Sequence, residues 1–125
     1  ADLFLDTLPY SAHTTASDAL WTGLPVLTCI GQAFAGRVAA SLLQTIGLPE
    51  LVTVDLAEYE RLALALARTP ERLAALRDKL ARQRSTAALF DTDRFRGHLE
   101  WAYRRMWEQH ARGEAPTGFD VPRQR

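Results

Sequence analysis

The chain has 125 residues, enough for one domain with a real core but few for a complete enzyme that holds two substrates. Fifteen Lys and Arg balance fifteen Asp and Glu, which excludes the sequence-independent pull on nucleic acid that a basic surface exerts. A single cysteine excludes an internal disulfide framework; with no apolar run of the ~18 residues a membrane span needs and no signal-peptide layout, the expected compartment is cytoplasmic.

The opening stretch, ADLFLDT, enters an apolar run with almost no lead, as expected of a domain cut from a longer chain. Residues 3–7 predict a strand, 14–22 a helix and 25–30 a second strand; the run AFAGRVAASLLQTIG predicts a second helix and 51–54 a third strand. This alternation implies crossover connections and an α/β fold with a parallel sheet covered on both faces, and continuous apolar runs suit such doubly covered strands. Gly23 and Gly47 each follow a helical pattern where a left-handed residue is needed, with Pro25 and Pro49 just beyond. In the second helix Phe34, Val38, Leu42 and Ile46 recur every four residues and predict one buried face against the sheet. Cys29, inside PVLTCI, reads as a small buried hydrophobe rather than a nucleophile.

From residue 56 the pattern is helical only: 56–68, 70–85 with Pro70 suited to a first turn, and 93 to roughly 111. The Ala/Leu/Arg-rich stretch from 62 to 84 lacks self-similarity at the ~34-residue period of a helical repeat, so it predicts two ordinary amphipathic helices. The last helix carries Phe95, Trp101, Tyr103 and Trp107 around a core line of Leu99, Ala102 and Met106. Trp101 and Trp107 fall partly off that line, so they either cap the local core or form a surface for another domain or a second copy. The tail GEAPTGFDVPRQR has no periodicity and is expected to be loose.

The stretch SAHTTASDALWTGLPVLT, residues 11–28, crowds polar groups at a helix start and admits two readings. In one, Thr15 is the N-cap and Asp18 the third helical residue of a capping box, with His13 and Thr14 in the preceding loop. In the other, the loop leaves the carboxyl end of a parallel strand, where open α/β sheets bind ligands and where free N–H groups attract phosphate. Small residues Ser11, Ala12 and Ala16 let a phosphate approach, Thr14 and Thr15 add hydroxyl donors, and His13 adds a ring donor. Asp18 lies one turn on, about 5–6 Å along the same face, where a carboxylate suits a ribose diol rather than a phosphate. Phosphate donors followed by a ribose acceptor spell a nucleotide diphosphate, without the glycine-rich fingerprint of dinucleotide or P-loop sites.

The motifs LDT, HTT with Asp18 downstream, LWTGLPVLT, GRVAASLL, EYE, LF at Leu89 and Phe90, and MWE at Met106 to Glu108 occur in an order and spacing that resemble a known family. The chain is similar to the carboxy-terminal end of the catalytic region of protein O-linked N-acetylglucosamine transferases and their bacterial relatives, glycosyltransferase family 41, which includes the Spindly-type O-fucosyltransferases. The resemblance runs from Ala1 to about Gly113. It implies a Rossmann-like parallel sheet flanked by helices, the second half of a GT-B carboxy-terminal domain, followed by a helical segment. The implied organisation is a nucleotide-sugar-binding part over 1–55, a helical part of the same domain over 56–112 and a tail over 113–125.

For the site, the resemblance implies His13, Thr14 and Thr15 at the diphosphate of UDP-N-acetylglucosamine and Asp18 at its ribose, with no metal or other cofactor. The implied reaction is inverting transfer of N-acetylglucosamine to Ser or Thr of a protein, and no residue here is identifiable as its general base. The family's uracil-binding segment, its Gln and Lys phosphate donors, the other Rossmann domain, the acceptor groove and the tetratricopeptide repeats lie upstream of the matching region, so the chain alone is expected to be inactive. The alternatives are an O-fucosyltransferase using GDP-fucose, a more distant N-glucosylating relative, and a non-catalytic interaction module that keeps the fold. Ala16 and Ser17 stand where the animal enzymes have Gly and Met, and YSA replaces CNG before His13; the added methyl of Ala16 crowds the turn only slightly.

Overall fold

In the computed structural model, which describes residues 1–122, three short parallel strands form the sheet in the order β1 (Phe4–Leu5), β2 (Val26–Cys29), β3 (Val52–Thr53). Phe4 pairs with Val26 and Leu5 with Leu27 on one side of β2; Thr28 pairs with Val52 and Cys29 with Thr53 on the other. All four β2 residues are buried, as the unbroken apolar run requires of a central strand, and Cys29 is a buried free thiol.

The outer strands are shorter than the apolar runs suggest because side chains divert the backbone. Asp6 keeps its N–H on Leu27 O at 3.0 Å, but its carboxylate takes the Thr7 N–H at 2.9 Å, and the ladder stops. Leu51 belongs to a 3₁₀ turn, Pro49–Leu51, and the Val54 N–H donates to Glu58 Oε2 at 3.0 Å.

Helices α1 (Thr14–Trp21), α2 (Val38–Thr45), α3 (Leu56–Arg68) and α4 (Pro70–Arg84) share one core with the sheet, built on Leu20, Leu27, Leu43, Leu51, Leu66 and Leu80. Pro70 opens α4, and Gly23 and Gly47 take φ of +86° and +80° just past α1 and α2, as their placement predicts. Arg84 donates to the Trp21 carbonyl at 2.7 Å and lies 5.8 Å from the Trp21 ring centroid, so a cation sits at the negative end of α1. Phe90 meets the same indole edge to face at 5.0 Å.

The second helix departs from its predicted form. Residues 34–36 form a separate 3₁₀ turn, and α2 begins only at Val38. In a continuous helix the Ala39 N–H would donate to Ala35 O; here Ser11 intervenes, its Oγ donating to Ala35 O at 2.8 Å and accepting from Ala39 N at 3.4 Å. The buried face is consequently Ala39, Ala40, Leu43 and Ile46, with Val38 and Leu42 half-buried and Phe34 81% exposed, which corrects the expected Phe34–Val38–Leu42–Ile46 stripe.

The chain forms two units, Ala1–Phe90 and a second that begins at Asp91, so α3 and α4 belong with the sheet. In the second unit α5 (Thr92–Ala111) starts from Asp91, whose carboxylate accepts from Arg94 N at 2.9 Å. Its buried residue is Gln109, which donates to Ala115 O at 2.8 Å and Thr117 Oγ1 at 2.7 Å, while Trp101 meets Phe119 edge to face at 5.8 Å. The expected loose tail is therefore irregular but tied to α5 as far as Phe119; Arg123, Gln124 and Arg125 lie outside the described residues. The expected core line of α5 is open to solvent at Leu99 and Met106, and Trp107 is exposed as well.

Candidate functional site

The loop from β1 to α1 is shaped by Asp6, which follows the strand and is 5% exposed. Oδ1 accepts from Thr7 N and from Ala12 N at 2.7 Å; Oδ2 accepts from Thr28 Oγ1 at 2.6 Å. A buried carboxylate is stable only when its lone pairs are used this fully. The Asp6 carbonyl in turn accepts from Tyr59 Oη at 2.8 Å. Burial, then the charge of Asp6 and the nearby Cys29, raise the Tyr59 pKa, so the phenol stays protonated as this bond requires.

The far end of the loop is fastened to the turn that follows β2. The Ala35 carbonyl accepts from Ser11 N at 2.9 Å, from Ser11 Oγ, and from His13 Nε2 at 3.2 Å. The two segments approach closely because Gly36 lacks a side chain: a Cβ there would lie 2.9 Å from Pro9 O, while within the turn Gly31 N donates to Gly36 O at 2.8 Å.

On this frame α1 begins at Thr14 with His13 as N-cap, and among the described residues no side chain caps it. Thr15 is thus the second helical residue and Asp18 the fifth, and the expected Thr15/Asp18 capping box does not form. The reason lies in the register: with the loop anchored at Asp6 and Ala35, the helix starts two residues earlier than the capping pattern assumes. A related arrangement occurs at α3, where Asp55 Oδ1 accepts from Glu58 N at 2.7 Å while Glu58 Oε2 accepts from Val54 N.

Thr14, Thr15 and Asp18 are exposed and lie on neighbouring turns of α1, at the carboxyl end of β1. The first-turn N–H groups and two hydroxyls are donors at the positive end of the helix, and the Asp18 carboxylate is an acceptor one turn on. His13 is half-buried; its ring stacks on Tyr10 with centroids 4.7 Å apart and meets Phe34 edge to face at 6.3 Å. A groove of about 380 Å³ lined by Phe34, Arg37, Val38, Ser41 and Leu42 begins at that aromatic cluster. The larger groove, about 480 Å³, lies instead at the amino end of β1, between Asp2, Leu3 and the α3–α4 turn.

The exposed polar residues are legible in the sequence, whereas the side chains that position them are not. Asp6, Phe34 and Tyr59 acquire their roles from contacts distant in sequence, and Tyr10 from a stack on His13 three residues on. The available signals were Asp6 at the end of an apolar strand and Thr28 in the middle of another, since a buried carboxylate and a buried hydroxyl at one sheet edge tend to satisfy each other.

The profile of "Glycosyl transferase family 41" matches residues 1–99. The chain belongs to this family. Among family 41 relatives, it is 41% identical over 122 residues to the Arabidopsis thaliana protein named "Probable UDP-N-acetylglucosamine--peptide N-acetylglucosaminyltransferase SEC", a match covering 97% of this chain and 12% of that protein. It is 37% identical over 113 residues to the Caenorhabditis elegans UDP-N-acetylglucosamine--peptide N-acetylglucosaminyltransferase, covering 90% of this chain and 10% of that one. A solved structure of a Thermobaculum terrenum O-GlcNAc transferase mutant superposes with a TM-score of 0.81 at 46% identity, covering 91% of this chain and 22% of that one. The family 41 chain described here therefore spans a small part of its relatives' length, and the expected fold, the second half of a GT-B carboxy-terminal domain, is borne out.

Proposed function

We propose that residues 11–18 form the diphosphate- and ribose-facing part of the donor site of a glycosyltransferase that moves N-acetylglucosamine from UDP-N-acetylglucosamine to Ser or Thr of a protein. The observation that carries this reading is the start of α1, whose donors and Thr14, Thr15 and Asp18 side chains open outward at the carboxyl end of β1 in a family 41 chain. The α1 N–H groups and the Thr14 and Thr15 hydroxyls bind the diphosphate, His13 borders it, and Asp18 accepts from the ribose hydroxyls. As the acceptor hydroxyl attacks the anomeric carbon with inversion and UDP leaves, these fixed donors stabilise the growing charge on the β-phosphate. No metal takes part.

The relatives' names, which specify UDP-N-acetylglucosamine and a peptide, favour this donor and a protein acceptor over GDP-fucose. The uracil contacts, the acceptor groove, the facing Rossmann domain and the tetratricopeptide repeats belong to the longer chain, and these 125 residues do not turn over without them. A reducing, cytoplasmic setting suits the single buried thiol.

Calorimetry of the longer chain carrying this sequence tests the reading. UDP and UDP-N-acetylglucosamine are expected to bind, and Asp18→Ala to weaken both by about tenfold to a hundredfold, the loss of a charge-assisted pair of hydrogen bonds. UDP affinity unchanged in Asp18→Ala removes the ribose role, and preferential binding of GDP-fucose replaces the donor.

A further inference from the structure

We infer that Tyr10 is a positioning residue for His13, holding the imidazole against the Ala35 carbonyl in one orientation at the edge of the donor site. The Ala35 carbonyl faces the His13 ring. This carbonyl can only accept, so the His13 Nε2 that lies 3.2 Å from it carries a proton in the neutral ring and in the cation alike. In the neutral ring Nδ1 is then the lone-pair nitrogen, and the group facing it is the Tyr10 hydroxyl at 3.5 Å, a donor of the required polarity. The phenol also lies nearly flat on the imidazole, at 4.7 Å and an interplanar angle of 22°, so one residue restrains both the ring's plane and its in-plane rotation. Phe34, edge-on at 89°, closes another side.

This arrangement changes what His13 can offer. With Nε2 committed to Ala35, the edge left toward a phosphate at the α1 N-terminus is Nδ1, whose lone pair repels phosphate oxygens unless the Tyr10 hydroxyl engages it. Tyr10 thus holds the ring in the orientation in which Ala35 sets its tautomer and covers the Nδ1 lone pair, although it is itself 62% exposed and contributes little to the core. The ligand part of this inference rests on the proposed donor site.

Nitrogen-15 spectroscopy of the His13 ring in the wild-type chain, Tyr10→Phe and Tyr10→Ala reads the inference directly. The wild type is expected to be the Nε2–H tautomer with a hydrogen-bonded Nδ1. Tyr10→Phe keeps the stack and removes the hydroxyl, so Nδ1 moves toward the position of an unbonded nitrogen while Nε2 keeps its proton; Tyr10→Ala frees the ring, and the two tautomers mix. In the longer chain, Tyr10→Phe is expected to weaken UDP binding by about threefold to tenfold, the scale of one hydrogen bond, and Tyr10→Ala to weaken it further. Ring nitrogens unmoved in Tyr10→Ala overturn the inference, as do moved nitrogens with UDP affinity unchanged. Absence of UDP binding by the unsubstituted longer chain overturns the donor-site reading itself, a result distinguishable because it is independent of either Tyr10 variant.

Discussion

At the scale of single residues, Asp6 is the side chain on which the β1–α1 loop depends. Replacing it with Ala leaves the Ala12 N–H and the buried Thr28 hydroxyl without their acceptor, and unfolding experiments are expected to register a loss of about 2–4 kcal/mol. Asp6→Asn keeps an acceptor for Ala12 and is expected to lose less. Tyr59 carries a second prediction with a pH signature. Its pKa is raised above the ordinary 10.0, so the unfolded chain releases this proton at lower pH than the folded one. The stability it contributes is full below pH 10 and falls as the pH rises through the folded value. Tyr59→Phe is expected to cost about 1 kcal/mol near neutrality and to flatten that alkaline decline, measured by urea unfolding over a pH series. Neither role is legible locally: Asp6 stands in a run that reads as plain strand, and its partners are 6, 22 and, through its carbonyl, 53 residues away. Thr14, Thr15 and Asp18 are legible because their spacing at a helix start is itself the signal.

At the scale of elements, the sequence is readable wherever the determinants are local and misleading where they are not. The helix over 56–68 is found with its observed bounds because Asp55 and Glu58 close its start and Pro70 follows. The second helix is read as one piece because nothing between residues 33 and 47 announces that Ser11, 24 residues before Ala35, divides it. Ser11→Ala is therefore expected to lower stability by about 1–2 kcal/mol, with faster amide exchange at Ala39. The close approach of the two loops gives a separate check: Gly36→Ala places a methyl 2.9 Å from Pro9 O, a backbone atom that cannot swing away, so a loss of about 1–3 kcal/mol in thermal unfolding is expected. In the second unit, Gln109→Ala removes both side-chain bonds to the tail and should raise amide exchange over residues 113–119 while α5 keeps its helicity.

At the scale of the whole molecule, a neutral chain with a three-stranded parallel sheet carries its exposed polar cluster at the carboxyl end of β1, where open α/β folds place ligands. Among the described residues no helix is long and apolar enough to cross a membrane. The match to the Arabidopsis relative covers 97% of this chain and 12% of that protein. The central claim is that the start of α1 receives a nucleotide diphosphate. Titrating the isotope-labelled chain with millimolar UDP and following its backbone amides tests this most directly. The account predicts shifts confined to Ala12 through Asp18 and the facing turn at Ala35, reduced by Asp18→Ala. Shifts centred instead on the groove at Asp2, Leu73 and Arg77, with Thr14 to Asp18 unmoved, contradict it.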